Sequence, residues 1–285
     1  MSHLEKIKPI SSEVYNKFTV IMGKPGSSKT TVAGTWPKPM LVITIGDDGG
    51  AVVLKHYSDE EVKTVKLTSD DPKQVGAKHV GIKLKELLEE LRTVTEFKTV
   101  VIDAYSSVEE EIVNYLVAKK GTGLSLQERG DIKNFLVDLR DAIVKNSSTS
   151  NVEYIAIVHV KIAEDTDNIS GEKNINLIPK MSLNNGNILL ERASNVMYCS
   201  RKTVKDLDKG NKVKFLTYVG AHPYIDTKIR FENGTKLESG VYIENCTYED
   251  IVNLSKTGEK NIKKVDIVEM KSDNPFNETK EEDDF

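Results

Sequence analysis

The 285-residue sequence has no run of about 18 apolar residues, which excludes a membrane-spanning helix. Its start does not read as a secretory leader either. Residues Met1 to Lys17 mix charges with short apolar pairs, so a cytoplasmic protein with no membrane partner is expected. Cysteine is scarce: Cys199 and Cys246 stand far apart without the paired spacing of a zinc site or redox motif, and they read as two buried thiols. Arginine is scarce too. Arg92, Arg129, Arg140, Arg192, Arg201 and Arg230 are the whole set, too dispersed to form the converging cluster that a phosphoryl-transferring kinase needs.

What is present suits an ordinary globular chain, with 38% hydrophobic and 29% charged residues, enough for a sizeable core. The formal charge of -4 is unevenly spread: from Glu269 onward the net is -5, leaving +1 for everything before it. The body is close to neutral and the acidity belongs to the tail. Residues 1–255 are expected to form one domain and residues 256–285 a flexible, disordered acidic tail.

Apolar runs of strand length recur at Phe18–Met22, Met40–Ile45, Thr99–Ile102 and Tyr154–Val160, each rich in Val or Ile and nearly continuous. Strands covered on both faces read this way, so the pattern predicts a mostly parallel central sheet flanked by helices. Val80, Leu84, Leu87, Leu88 and Leu91 mark one face of a helix ending near Glu96. Ile132, Phe135, Leu136, Leu139 and Ile143 mark a second, which Ser125 and Glu128 would start as a capping box. Strands alternating with helices give an α/β fold with right-handed crossovers. Later, Asn195–Ser200 and Lys212–Val219 flank the turn Asp208-Lys209-Gly210-Asn211, predicting an antiparallel hairpin at the sheet edge.

Directly after the first strand stands Gly23-Lys24-Pro25-Gly26-Ser27-Ser28-Lys29-Thr30-Thr31. This is the pattern of a phosphate-binding P-loop, in which backbone amides cradle the phosphates, a lysine (Lys29) reaches the β- and γ-phosphates, and the next hydroxyl (Thr30) ligates Mg²⁺. Ser28 departs from it by replacing a glycine. A non-glycine residue at positive φ costs about 1–2 kcal/mol, enough to weaken nucleotide binding several-fold. The strand Lys98–Asp103 ends in a carboxylate, as a Walker B segment does, so Asp103 is the second expected Mg²⁺ residue. ATP and Mg²⁺ are the expected cofactors.

These elements, with Trp36-Pro37-Lys38-Pro39, the turn Gly46-Asp47-Asp48-Gly49-Gly50 and a later strand ending in His159, resemble the phage RecA-like ATP-binding proteins of the Sak type, single-domain relatives of RecA and RadA. The likeness spans roughly residues 15 to 235. It implies a RecA-like P-loop NTPase core and a DNA-stimulated ATPase that binds single-stranded DNA and anneals or exchanges strands in phage recombination, in the host cell cytoplasm. Asp47 or Asp48 matches the acidic position that orients the attacking water, although both also suit a simple turn. His159 resembles the sensor of the γ-phosphate, or is a core histidine. Lys228-Ile229-Arg230-Phe231 resembles a Lys-x-Arg-Phe signature, whose Lys228 and Arg230 would reach the γ-phosphate of a neighbouring subunit in a ring or filament of identical chains.

The resemblance further implies two DNA-binding loops. Lys119 and Lys120, beside Gly121, are the basic residues of the first candidate, and Lys161, Lys173 and Lys180, within residues 161–192, those of the second. Aromatic residues for base stacking are nearly absent from both. The ending Lys280-Glu281-Glu282-Asp283-Asp284-Phe285 resembles the tip of bacterial single-strand-binding proteins, suggesting either such a partner site, a shield over the DNA groove or a solubilising tail. The alternatives to a DNA-dependent ATPase are a nucleotide-binding switch with little hydrolysis, which Ser28 would suit, and a P-loop kinase.

Overall fold

The computed structural model describes residues 17–46, 50–94, 96–166, 173–206, 210–220, 222, 224–229, 237–257 and 262–264. The strands are β1 (Phe18–Gly23), β2 (Met40–Ile45), β3 (Val62–Leu67), β4 (Thr99–Asp103), β5 (Glu153–Thr166), β6 (Lys173–Pro179), β7 (Asn195–Asp206), β8 (Gly210–Tyr218), β9 (Val241–Glu244) and β10 (Lys263–Lys264). The helices are α1 (Lys29–Ala33), α2 (Val80–Glu90), α3 (Ser107–Lys120), α4 (Leu126–Thr149), α5 (Leu183–Arg192) and α6 (Tyr248–Thr257). One ten-stranded sheet runs β10-β9-β8-β7-β1-β5-β4-β2-β3, with β6 paired to β5.

The middle of the sheet is parallel: β7, β1, β5, β4, β2 and β3 all point the same way. Every residue of β1, β2 and β4 is buried, which explains their unbroken apolar sequences. On one face α2, α3, α4 and α5 pack through Leu84, Leu88, Ile112, Leu136, Leu139 and Leu189 onto Val20, Ile43 and Ile102. On the other, α1 and α6 bring Val32, Ile251 and Leu254 together with Trp36 onto Ile21, Val42 and Ile157. This is the mixed α/β, helix-flanked fold expected of a P-loop NTPase.

Several expectations need correction. The first long helix stops at Glu90 rather than near Glu96; the β-branched run Thr93-Val94-Thr95 that follows is a poor helix former. The hairpin of β7 and β8 is not an edge, because β9 pairs with β8 and β10 with β9. Lys263–Lys264 therefore carries paired chain past residue 255, and residues 265–285 of the expected tail lie outside the described residues. Lys161 to Arg192 is not a loop: β5 and β6 form an antiparallel ribbon in which Lys161 pairs with Ile178, and α5 follows. Its residues 167–172 lie outside the described residues.

The start of α4 is capped as the sequence requires. Glu128 N–H donates to Ser125 Oγ, and the Glu128 carboxylate accepts from Ser125 N–H at 2.7 Å. Lys120, at the end of α3, holds the same carboxylate at 2.9 Å. Lys120 first, then the Ser125 N–H and hydroxyl, push the Glu128 carboxyl down to about 2. A depressed carboxylate stabilises the fold fully above its ordinary value and loses that contribution as pH falls towards its folded value. We therefore expect the Glu128 side-chain resonance to titrate near pH 2 in NMR, and Lys120→Ala to move it back towards the ordinary carboxylate range; a Glu128 that titrates in that range in the native protein would contradict the cap geometry.

Candidate phosphate-binding site

The site lies at the C-terminal edge of the parallel strands, and strand register determines who meets there. Gly23, the last residue of β1, is level with His159 of β5 on one side and Cys199 of β7 on the other. A Cβ on Gly23 would collide with the Ser27 hydroxyl and the Cys199 carbonyl, so only glycine allows the loop to fold back over the strand end. Gly26 takes φ +72 with open space around its Cβ position, and Ser27 N–H donates to Lys24 O to close the turn.

Ser28 takes φ 60 and ψ 24, the left-handed conformation that glycine adopts freely, and stands as the N-cap of α1 without using its side chain as a cap. Lys29 follows, only 6% exposed, with its ammonium donating to Lys24 O at 2.8 Å. Thr30 Oγ1 donates to Asp103 Oδ2 at 2.8 Å, joining two residues 73 positions apart. Asp103 is 3% exposed. Thr31, next in the loop sequence, faces outward.

A phosphate-bearing ligand with its divalent cation fits this set on the chain's own features. The Ser27 hydroxyl is buried and has no protein partner, Gly26 has open space beside it, and the Thr30 hydroxyl and Asp103 carboxylate are adjacent hard-oxygen donors. Lys29 places a buried cation beside them. Its charge also reaches Cys199, whose thiol burial pushes up to about 11 while the Thr217 hydrogen bond and Lys29 pull it the other way. Both cysteines are buried free thiols.

Residues 16–231 match the AAA domain family model. The chain belongs to the AAA domain family. Nucleotide binding at the P-loop is thus its coarse function, and AAA domains are in general ATPases. No curated protein matches the sequence. No helix among the described residues is long and apolar enough to cross a membrane.

The remaining site expectations are scattered. His159 is half-buried at the end of the β5 segment between β1 and β4, and its N–H donates to Ser106 Oγ at 3.0 Å, tying that strand to the chain leaving Asp103. Lys180 N–H donates to His159 O, and the Lys180 ammonium lies 3.7 Å from Glu110. Lys161 is exposed on the β5–β6 ribbon; Lys173 opens β6, and its side chain is not among the described parts. Asp47, Asp48 and Arg230 lie outside the described residues. Lys228 forms a bridge with Val196, and its ammonium donates to Glu191 O at 3.2 Å near the end of α5.

Lys119 and Lys120 require a correction, because they occupy the last turn of α3 and not a flexible loop. Twelve residues of helix, Ser107 to Ala118, separate them from the Asp103 end, about 18 Å at 1.5 Å per residue. They are not gathered with Lys161 and Lys180. Cations in a last turn followed by a left-handed glycine are a helix-end signature, and here Gly121 takes φ 74 at the C-cap.

One contact was not legible beforehand. Gly50, at the start of a 3-10 turn (Gly50–Leu54), lies so close to Asp103 that a Cβ would strike the carboxylate. Gly50 therefore leaves room for the Asp103 orientation that meets Thr30. Gly50→Ala should raise the Mg²⁺ concentration needed for nucleotide binding by roughly tenfold, the scale of one lost charge-assisted hydrogen bond, while leaving the thermal midpoint within a few degrees. Unchanged Mg²⁺ dependence in a fluorescent-nucleotide titration would remove Gly50 from this role.

Proposed function

We propose that the chain is a RecA-like, Mg²⁺-dependent ATPase stimulated by single-stranded DNA, which it binds and anneals or exchanges in phage recombination as a ring or filament of identical subunits. The observation that carries the nucleotide half is the 2.8 Å contact between Thr30 and Asp103 beside the buried Lys29. The Lys29 ammonium would neutralise the β- and γ-phosphates, and Thr30 and Asp103 would hold the metal directly and through its water. Bound Mg²⁺ supplies charge neutralisation across the phosphates. Asp47 or Asp48 would orient the attacking water. His159 would sense the γ-phosphate, and Lys228 and Arg230 would complete the site from a neighbouring subunit.

The DNA half is supported by the position of the β5–β6 ribbon. It continues the strand that carries His159 and presents the exposed Lys161, with Lys180 just after it, while Glu164, Asp165, Asp167 and Glu172 leave residues 161–180 at a net of -1. Phosphate contacts of this kind give salt-dependent, sequence-tolerant binding. A single-strand-binding protein is the proposed protein partner. A second reading, a nucleotide-binding switch with feeble hydrolysis, is favoured by the left-handed Ser28.

ATP turnover with and without a single-stranded oligonucleotide tests the first reading: stimulation in the native chain, abolished by Lys29→Ala, is expected, and nucleotide binding without turnover would give the switch reading instead. Ser28→Gly, which relieves about 1–2 kcal/mol of backbone strain, should tighten nucleotide binding several-fold in the same titration. Equal or weaker affinity would show that the strain is met on folding and not on binding.

A further inference from the structure

The strongest unexplained feature is the far half of the β7–β8 hairpin. β1 accompanies β7 only to Cys199, and β9 accompanies β8 only from Leu216 to Tyr218. From Lys202 to Asp206 and from Gly210 to Lys214, the two strands pair with each other and with no third strand among the described residues. They form a two-stranded ribbon that leaves the sheet beside the P-loop strand, on the opposite side from the β5–β6 ribbon.

Its composition differs from that of the rest of the chain. Between residues 201 and 214, Arg201, Lys202, Lys205, Lys209, Lys212 and Lys214 stand against Asp206 and Asp208, a net of +4 in a chain of net -4. Lys202 is directly opposite Lys214, and like charges placed so cost stability. Glu244 answers part of this charge, 3.3 Å from Lys214, but is shared with Lys263 at 2.6 Å. Arg201 and Lys212 are exposed, and so are Val204 and Val213, at 36% and 46%. A globular core gains nothing from such a ribbon.

The foot, by contrast, is firmly built. Tyr198 and Tyr218 stack at 6.0 Å, and His222 meets both edge-on at 5.2 and 4.7 Å. A rigid base with a cationic, two-stranded extension fits a polyanion better than it fits an apolar partner. Such a ribbon is also narrow enough to follow a nucleic-acid groove or backbone.

We infer that the β7–β8 ribbon is a nucleic-acid phosphate-binding surface, with Arg201, Lys202 and Lys212 as its contacts, separate from the lysines of the β5–β6 ribbon. The inference rests on the DNA-binding reading above and adds a second contact surface to it. Single-stranded and duplex backbones offer the same phosphate chemistry. The two ribbons leave from the strands on either side of β1, so nucleic acid held by both would lie across the phosphate end of the sheet.

The test is fluorescence anisotropy of labelled single-stranded and duplex oligonucleotides with the full chain, from low to moderate salt. The variants are Arg201→Glu/Lys212→Glu, the milder Arg201→Gln/Lys212→Gln, and Lys161→Glu for the other ribbon, each checked for an unchanged thermal midpoint. The ribbon variants should lose about tenfold or more in affinity at low salt and lower the salt slope by about 0.7–0.9 per phosphate contact removed. Loss on single strands alone or on duplex alone would identify the backbone that is held, and either supports the inference. Binding that survives both ribbon pairs but falls with Lys161→Glu overturns the inference and leaves the DNA-binding reading standing. A native chain that binds neither oligonucleotide overturns both.

Discussion

The phosphate end of the molecule depends on the parallel register of β7, β1 and β5, which brings Cys199, Gly23 and His159 level across the sheet. Register is strictly specified where strands are buried, because a slip of one residue exchanges the two faces of the strand. In β1 such a slip would exchange Val20 and Met22, which serve the α2–α5 side, with Ile21, which serves the α1 side. The core thus fixes the register, and the register fixes where the loop after Gly23 must turn. The Cys199 carbonyl beside Gly23 is part of that turn, although no sequence motif contains Cys199.

The charges at the site follow from the same arrangement. Asp103 and Lys29 are both buried, and a buried ion is expensive unless an opposite charge or good hydrogen bonds answer it. The Thr30 hydroxyl contributes one charge-assisted hydrogen bond to Asp103, worth about 1.5–3 kcal/mol. That exceeds the roughly 1–2 kcal/mol that a left-handed Ser28 costs. Hence the loop can keep its shape with serine in place of glycine, the left-handed strain being offset within the fold itself.

Much of this was readable from local pattern. The continuous apolar runs of β1, β2, β4 and β5, the capping box of α4 and the spacing from Gly23 to Thr30 are all contained in short windows of sequence. What escaped was either weakly patterned or non-local. β3 mixes exposed and half-buried residues at the sheet edge, so it lacks the apolar run of its neighbours. In α3 the charged turns at both ends, Glu109-Glu110 and Lys119-Lys120, hid a helix that complements its own dipole. The contact of Gly50 with Asp103 joins residues distant in the chain, and the Gly49-Gly50 turn gave no sign of what it would approach. The insertion of β5 between β1 and β4 is a matter of tertiary pairing that chain order does not encode.

Net charge was the least informative quantity about a nucleic-acid surface, for a physical reason. Charges separated by more than about 8–10 Å of salt solution barely influence one another. The +4 of residues 201–214 is therefore a local field that the chain total of -4 does not report. A phosphate backbone approaching the β7–β8 ribbon meets the cations within its own Debye length, Arg201, Lys202 and Lys212 first, and responds to the sum over the chain hardly at all. What decides affinity is how many cations a ribbon holds in line and how far its acids stand from them, and Glu244 meets this ribbon at its foot, on Lys214.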